Sequence, residues 1–201
     1  MTKPLSERIL SAFGTTSEGE PLSAKALLHL GNRAAVNQAL TRLARRGLII
    51  RLALGHYVRP VQTRFGQRAP SVERAVQALS ISLGETVTIS GGAAASRLGL
   101  SAQVPVRTVY LTSGPSRILH FGKQTVELRH APEWLLLEAQ SPAGDLLRAA
   151  HWIGAEKSRE LLAAGIPRLS PPDREALARL RARLPAWLAQ SISDVVVAGE
   201  S

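Results

Sequence analysis

The sequence predicts an α+β fold: an N-terminal winged helix-turn-helix, followed by an α+β domain with a small antiparallel sheet and C-terminal helices. Three observations support this fold class. Residues 22–60 follow the order helix, glycine turn, helix and short hairpin, which is the pattern of a winged helix-turn-helix. Residues 86–129 hold short apolar segments separated by turns that contain Gly or Pro, as antiparallel strands do. Residues 143–184 carry apolar side chains at helical spacing.

The helix in the middle of residues 22–60 has two unlike faces. Its apolar face carries Val36, Leu40 and Leu43, which recur at spacings of four and then three residues and therefore share one side of a helix. The opposite face carries a row of small, polar and basic residues: Ala34, Gln38, Thr41 and Arg45. This face has no acidic residue and presents an amide together with guanidinium groups. We interpret the helix as a recognition helix.

The elements before and after this helix are predicted from their caps and turns. Ser6–Phe13 is a short amphipathic helix, and the Ser23 hydroxyl can cap the helix that follows it. That second helix stops at Gly31, which we expect in the left-handed conformation of a tight turn between two helices. Asn32 can cap the recognition helix, and Gly47 ends it.

A hairpin directly after the recognition helix forms the predicted wing. Leu48–Leu52 and Tyr57–Val58 read as short strands, with Ala53–His56 as the tip between them. The alternative is a purely structural three-helix bundle, in which leucines have the same spacing. The hairpin and the polar row together favour the winged helix.

Side-chain chemistry assigns base contacts and phosphate contacts to this unit. Gln38 can bind adenine at N6 and N7, and Arg33 or Arg45 can bind guanine at O6 and N7. Ala34 and the Thr41 methyl group can contact thymine methyl groups. Residues at the helix end, flank or wing are better placed for phosphates; they are Arg42, Arg46, Arg51 and His56. The full predicted DNA-binding set is Arg33, Ala34, Asn37, Gln38, Thr41, Arg42, Arg45, Arg46, Arg51 and His56.

A second interpretation of the same residues stays open at this point. These side chains can simply solubilise the outward face of the helix, and His56 can be a turn residue of the wing. The distribution of charge favours nucleic acid: net charge is +10 over 201 residues, and residues 1–60 hold nine Lys or Arg against three Asp or Glu. A basic N-terminal third indicates a polyanion bound at that end, although a generally basic proteome gives a similar excess.

The segment 61–69 is predicted to be a basic linker because it contains Arg and Gly and shows little periodicity. The predicted domains are therefore a DNA-binding domain over residues 1–60, the linker, and a C-terminal domain over residues 70–201. The C-terminal domain should open with a helix over Val72–Leu83, for which Ser71 is the predicted cap. A last helix starts near Pro172, and Pro185 should kink or end it.

The strands of the second domain are predicted to form a small sheet. Thr86–Ile89 is a short strand, and three later segments read as an antiparallel meander with turns at Ser113–Pro115 and Gly122–Lys123. Those three segments are Val106–Thr112, Arg117–Phe121 and Thr125–Arg129. Between the first strand and a small alanine helix lies Ser90–Gly92, which we interpret as a tight turn capped by Ser90. A phosphate cradle is the alternative, but no P-loop or dinucleotide motif is present.

No catalytic residue, metal site or cofactor is predicted. The chain has no cysteine, which excludes disulfides, thiolate nucleophiles and Cys-ligated zinc. The five histidines do not pair at metal-ligand spacing. No apolar run approaches the roughly 20 residues of a membrane helix, and the N-terminus lacks the apolar region of a signal peptide. We therefore expect a soluble cytoplasmic protein that is not an enzyme.

Several segments from Gly55 onward resemble the AbiEi family of antitoxins from bacterial type IV toxin–antitoxin systems. They are GHYVRP, PSVERAVQAL, SGGAAASRLGLSAQVP, VYLTSGPSR and FGKQTVELRHA. The resemblance covers roughly residues 22–153, and the LGLSAQVP and VYLTSGPSR segments are its most specific parts. It implies an N-terminal winged helix that represses the system's own promoter through inverted repeats. It also implies a C-terminal domain that counteracts an AbiEii-like nucleotidyltransferase toxin, without requiring a stable complex with that toxin.

Three functional hypotheses follow from the sequence. The leading one is a DNA-binding antitoxin that autorepresses its operon. The alternative is a transcriptional regulator with a ligand-sensing or dimerising C-terminal domain and no toxin partner. The third is an enzyme with a basic DNA-binding lobe, which requires a deep polar pocket for which the sequence offers no residue set. The segments Leu98–Pro105 and Val109–Arg117 receive no role, and Arg117 is equally consistent with a partner contact and a surface charge.

Overall fold

The computed structural model describes residues 3–102, 107–122 and 124–199, with the side chains of residues 198 and 199 excepted. The fold is a mixed α+β fold with small antiparallel sheets, which confirms the predicted class at that level. The chain divides into two compact units: unit 1 is Met1–Glu85 with Arg117–Glu127, and unit 2 is Thr86–Ser116 with Leu128–Ser201. No helix among the described residues is both long and apolar enough to span a bilayer.

Unit 1 contains three α-helices, a 3-10 helix and short strands in its first 85 residues. The helices are α1 (Leu5–Gly14), the 3-10 helix (Lys25–Leu30), α2 (Arg33–Arg45) and α3 (Val72–Leu83). The strands are β1 (Leu22–Ser23), β2 (Ile50–Ala53), β3 (His56–Val58), β4 (Val61–Thr63) and β5 (Gly66–Arg68). The core joins α1, the 3-10 helix, α2 and β3 through buried apolar side chains: Ile9, Phe13, Leu27, Val36, Ala39, Leu40, Leu43, Ile49 and Tyr57.

The start and end of α2 follow from local chemistry. The side chain of Asn32 accepts a hydrogen bond from the backbone N–H of Ala35 at 2.9 Å, so the predicted cap is present and satisfies a donor that the helix leaves unpaired. Gly47 has φ +71° and its N–H donates to the carbonyl of Ala44. That left-handed conformation favours glycine, and it turns the chain into β2.

Two details before α2 differ from the sequence prediction. The segment predicted as a second α-helix is a 3-10 helix of six residues, Lys25–Leu30, of which Leu27 is buried while Leu28 is 40% exposed. Gly31 has φ 173° and ψ 176°, so the predicted left-handed turn is wrong and the backbone there is extended. A segment of six residues is too short for a stable α-helix. The extended Gly31 leads directly to the Asn32 cap.

The hairpin after α2 belongs to a three-stranded sheet with the order β1-β3-β2. β2 and β3 are joined by the two residues Leu54 and Gly55, and Gly55 has φ +75°. The third strand, β1, pairs Leu22 with Tyr57; a two-residue strand leaves no periodicity in the sequence. β3 is therefore paired on both sides, which anchors the hairpin to unit 1.

The segment 61–69 is not an irregular linker. β4 and β5 pair antiparallel, with Val61 opposite Arg68 and Thr63 opposite Gly66, and they form a separate two-stranded ribbon. The ribbon has no buried apolar face that would produce an alternating pattern, which is why periodicity did not reveal it.

Unit 2 contains most of the second half of the chain. Its elements are β6 (Val87–Ile89), α4 (Gly91–Arg97), β7 (Thr108–Thr112), α5 (Pro142–Ile153), α6 (Ala155–Gly165), α7 (Pro171–Leu180) and α8 (Ala186–Gly199), with 3-10 turns at Glu133–Leu136, Ile166–Arg168 and Arg181–Arg183. The helices pack around an aliphatic core that includes Leu146, Leu162, Leu177 and Leu188. Leu177 and Leu180 of α7 are buried, and the interruption before Pro185 occurs as expected.

Two further strands are β8 (Arg117–Phe121) and β9 (Gln124–His130). The four-stranded sheet has the order β6-β7-β9-β8, so the predicted meander is wrong in its pairing, because β9 rather than β8 lies beside β7. β9 has seven residues, with Val126 and Leu128 buried. It lies between β7 and β8 and pairs with both. The predicted residues Val106 and Lys123 lie outside the described residues.

Glycines at Ser90–Gly92 serve helix packing. Gly91 and Gly92 are buried, and a Cβ on Gly91 would overlap the carbonyl oxygen of Arg148 and the Cβ of Trp152. α4 therefore approaches α5 more closely than any side chain allows. Ser90 occupies the cap position without a side-chain cap bond. The predicted turn is present, and its Gly91 packs directly against α5.

A buried ion pair lies inside α5. Arg148 is 1% exposed and Asp145 is 3% exposed, and Arg148 Nη2 donates to Asp145 Oδ1 at 2.6 Å. The guanidinium also donates to three backbone carbonyls of the irregular segment 135–139, those of Leu135, Leu137 and Ala139, at 3.2–3.3 Å. Burial lowers the pKa of Arg148, while the hydrogen bond and charge of Asp145 act in the opposite direction.

Candidate nucleic-acid interface

The outward row of α2 projects into solvent. Ala34, Gln38, Thr41 and Arg45 are all exposed, while the apolar row on the opposite side is no more than 2% exposed. A helix of 13 residues is about 20 Å long with a diameter of roughly 10–12 Å. Those dimensions match a B-DNA major groove, which is about 12 Å wide.

The polar side chains of this row differ in how they are held. The Thr41 hydroxyl donates to the carbonyl of Asn37 at 2.8 Å, so the methyl group is the part of that side chain left for an apolar contact. Asn37 and Gln38 are exposed, and neither side-chain amide makes a hydrogen bond within the described part of the chain. Both amides can therefore offer a donor and an acceptor to a base edge.

The basic side chains around α2 have no acidic partner. Among the residues that the structure describes, none of the five predicted arginines makes an ion pair, and all five are exposed: Arg33, Arg42, Arg45, Arg46 and Arg51. The sequence has no Asp or Glu between Glu20 and Glu73, whereas the same 52 residues hold nine Lys or Arg. This uncompensated positive charge attracts a polyanion.

The tip of the β2–β3 hairpin combines a histidine with an exposed leucine. The Nδ1 atom of His56 is 3.1 Å from the carbonyl oxygen of Leu54, so Nδ1–H donates to the turn. The Nε2 atom makes no hydrogen bond within the described residues. A phosphate contact through Nε2 then requires the imidazolium form. Leu54 is 84% exposed, and sequence analysis did not single it out.

The β4–β5 ribbon adds exposed basic and aromatic side chains that were not in the predicted set. The Arg64 guanidinium carbon lies 4.7 Å from the centroid of the Phe65 ring, and Phe65 is 86% exposed. The available signal was the order Arg, Phe, Gly inside a basic segment, where the glycine permits a tight turn. These residues extend the basic surface of unit 1 beyond the α2 region.

Arg117 has a structural partner. Its guanidinium forms a bidentate ion pair with Glu85, at 2.9 Å between Nη1 and Oε1, and both side chains are largely buried. The pair joins β8 to Glu85, two residues after α3, within unit 1. This contact favours neither of the two roles considered for Arg117 from the sequence. Residues 103–105 of the Leu98–Pro105 segment lie outside the described residues.

The histidines and carboxylates of the described chain do not converge on a metal site. No three His, Cys, Asp or Glu residues in the described ranges are close enough to hold an ion. His151 instead contacts two aromatic rings, with its centroid 5.0 Å from that of Trp134 and 6.4 Å from that of Trp187. Desolvation by partial burial beside these rings lowers the pKa of His151.

The sequence of residues 8–170 matches a protein family described as a family of unknown function, DUF6088. The chain belongs to the DUF6088 family. No curated protein has a significantly similar sequence. A solved structure similar to this DUF6088 chain is that of the RV2827C protein from Mycobacterium tuberculosis, with a TM-score of 0.56 and 15% identity, over 99% of this chain and 78% of that one. At that identity the similarity concerns the fold alone.

Proposed function

We propose that the chain binds duplex DNA sequence-specifically through a winged helix-turn-helix formed by residues 1–60. In this proposal α2 enters the major groove and the β2–β3 hairpin is the wing. The observation that carries the proposal is the exposed row of α2 beside five arginines that have no acidic partner within the described part of the chain. A solvated surface helix more often alternates its charges, whereas this face has no acidic residue and offers two amides that make no side-chain hydrogen bond within the described residues.

The base contacts are assigned by chemistry. Gln38 reads adenine, Arg33 or Arg45 reads guanine, and Ala34 with the Thr41 methyl group contacts thymine. Arg42, Arg46, Arg51 and His56 contact phosphates, which set the register of the helix on the duplex. One such unit fills one half-site, so two chains occupy an operator made of inverted repeats.

Binding to the DNA upstream of the chain's own operon should depend strongly on salt. If about six Lys or Arg side chains contact phosphates, the logarithm of the affinity should fall against the logarithm of salt concentration with a slope of roughly −5. Fluorescence anisotropy of a labelled duplex, titrated at several salt concentrations, measures this slope. An affinity that does not change with salt would remove the phosphate contacts from the proposal.

The biological role that we propose is that of a DNA-binding antitoxin of a bacterial type IV toxin–antitoxin system. The support for this step is the resemblance of roughly residues 22–153 to AbiEi antitoxins, together with the basic surface of α2; the DUF6088 match itself carries no function. The chain would repress its operon through residues 1–60 and counteract an AbiEii-like nucleotidyltransferase toxin through residues 70–201. The proposal includes no catalytic residue, cofactor or metal.

Co-expression tests the antitoxin role with the full-length chain. A nucleotidyltransferase encoded beside the gene for this chain should arrest growth when expressed alone, and co-expression of the chain should restore growth. A Gln38→Ala/Arg45→Ala variant should still restore growth, because the substitutions change the DNA-binding face only. Growth arrest that persists in the presence of the well-expressed wild-type chain would exclude the antitoxin role and leave the DNA-binding proposal standing.

The second candidate function is a transcriptional regulator whose C-terminal domain senses a ligand or dimerises. A groove in unit 2 between α6, α7 and α8 favours it. The groove has a volume of about 790 Å³ and an apolar lining that includes Ile166, Leu177 and Val195, which is within the size range of small-molecule sites. This function predicts DNA binding without any effect on toxin-dependent growth arrest.

A further inference from the structure

The β4–β5 ribbon stands in solvent on both faces. Every residue from Gln62 to Arg68 is exposed, and the large apolar ring at the turn, Phe65, is 86% exposed. A two-stranded hairpin is only marginally stable in water, and burying an exposed phenyl ring against a partner is favourable. Both features are expected of a segment that acts by inserting into a partner.

The turn holds Phe65 in a defined position. The hydroxyl of Thr63 donates to the carbonyl of Gly66 at 2.8 Å and accepts from the N–H of Phe65 at 3.2 Å. Gly66 has φ +105°, a conformation that favours glycine and closes the turn. The ring is therefore presented by a preorganised turn, which lowers the entropy lost when it binds.

The charge around the turn selects a polyanion. Arg64 lies over the Phe65 ring, with 4.7 Å between its guanidinium carbon and the ring centroid. Arg59 and Arg64 make no ion pair within the described residues, whereas Arg68 is held by Glu18 at 3.2 Å. A ring and a guanidinium presented together can contact a base and its neighbouring phosphate at the same time.

The ribbon begins close to the proposed wing. Only Arg59 and Pro60 separate the end of β3 from the start of β4, and two fully extended residues span at most roughly 7 Å. The base of the ribbon is thus held near the end of β3, which is the base of the β2–β3 hairpin.

We propose that Phe65 inserts as a wedge between base pairs of duplex DNA beside the half-site bound by α2, while Arg64 contacts the adjoining phosphate. The insertion partly unstacks one base step and bends the duplex. This inference rests on the proposed DNA binding and adds to it a second contact, made by a ribbon outside the helix-turn-helix. It also makes the deformability of the base step beside the half-site a determinant of specificity.

Fluorescence energy transfer across a short duplex tests the wedge. The probe is the DNA upstream of the operon with a donor and an acceptor dye at its two ends, and the full-length chain is titrated into it. Phe65→Ala should abolish the bend and weaken binding roughly tenfold. Phe65→Leu should keep most of the bend, because leucine also acts as a wedge. Arg64→Ala should reduce the magnitude of the salt slope by about one.

Ile81→Ala is the matched control, since Ile81 is 74% exposed on α3 in the same unit; it should leave affinity and bend unchanged. Thermal unfolding confirms that each variant is folded.

A Phe65→Ala complex as bent as the wild type, or a wild-type complex without a bend, overturns the wedge while the α2 proposal stands. A bend that is lost in Phe65→Ala together with unaltered binding by Gln38→Ala/Arg45→Ala overturns the α2 proposal and leaves the wedge. No binding by the wild type overturns both.

Discussion

Arg148→Met is expected to lower the free energy of unfolding by about 3–5 kcal/mol. The substitution leaves Asp145 in a site where it is 3% exposed, with Arg97 as its remaining cationic partner at 3.3 Å. It also removes the donors from three carbonyls in the segment before α5. Buried acceptors without donors are a large part of such a loss. Urea denaturation followed by circular dichroism measures the change.

The matched control is Arg97→Met, which makes the same chemical change at the other arginine that contacts Asp145. The Arg97 side chain is 49% exposed, and a solvent-screened ion pair contributes only about 0–1 kcal/mol. Equal losses in the two variants would contradict our account, because the difference depends on the burial of Arg148 and on its three backbone carbonyls. Arg148→Lys should recover little, since an ammonium group cannot reproduce the planar fork.

The double variant Gln38→Ala/Arg45→Ala is expected to weaken operator binding by about 2–6 kcal/mol, which is a loss of roughly thirtyfold or more. Each base contact contributes about 1–3 kcal/mol. The two residues are seven positions apart, roughly 10.5 Å along the helix, so their effects should add. Anisotropy titrations of both single variants and the double variant against operator DNA measure the effect and its additivity.

Arg74→Ala/Gln77→Ala removes the same two residue types from the exposed side of α3. Arg74 forms an ion pair with Glu18 at 3.5 Å, so this variant controls for the loss of one formal positive charge and not for the loss of an unpaired guanidinium. It should weaken binding slightly and equally on operator and shuffled duplexes. The Gln38/Arg45 variant should lose affinity mainly on the operator, because base contacts carry the specificity. Similar losses on both duplexes would remove Gln38 and Arg45 from the base-reading set and leave them as general electrostatic contacts.

Local chemistry was enough to predict α2, its two faces and both of its ends. Val36, Leu40 and Leu43 are buried because a 3.6-residue period places them on one side whatever packs there. The Asn32 cap and the Gly47 end of the helix each depend on a hydrogen bond between residues only three positions apart. The helices over Val72–Leu83 and the C-terminal region were predicted for the same reason. The assignment of the outward row to DNA stays a prediction.

Other features depended on partners distant in the sequence. Residues 61–69 lack the alternation that reveals a strand, so the β4–β5 ribbon and the exposed ring of Phe65 emerged only from the structure. The strand sequences are compatible with more than one order of strands in the sheet, and the structure has the order β6-β7-β9-β8. Arg148 was not singled out, although an Asp and an Arg three residues apart on a helix with apolar residues around them indicate a buried pair.

The amino-acid sequence by itself determined the amphipathic helices, the Asn32 cap of α2, the basic N-terminal third and the mixed α+β class, because each arises from interactions within one or two turns of chain or from composition. The tertiary structure alone decided which strands pair, why Gly91 must lack a side chain, where the Arg148 guanidinium finds its acceptors and how the Phe65 ring is presented. Those outcomes depend on which distant segments meet, and the free energy of such contacts is set by burial and geometry that no local pattern encodes.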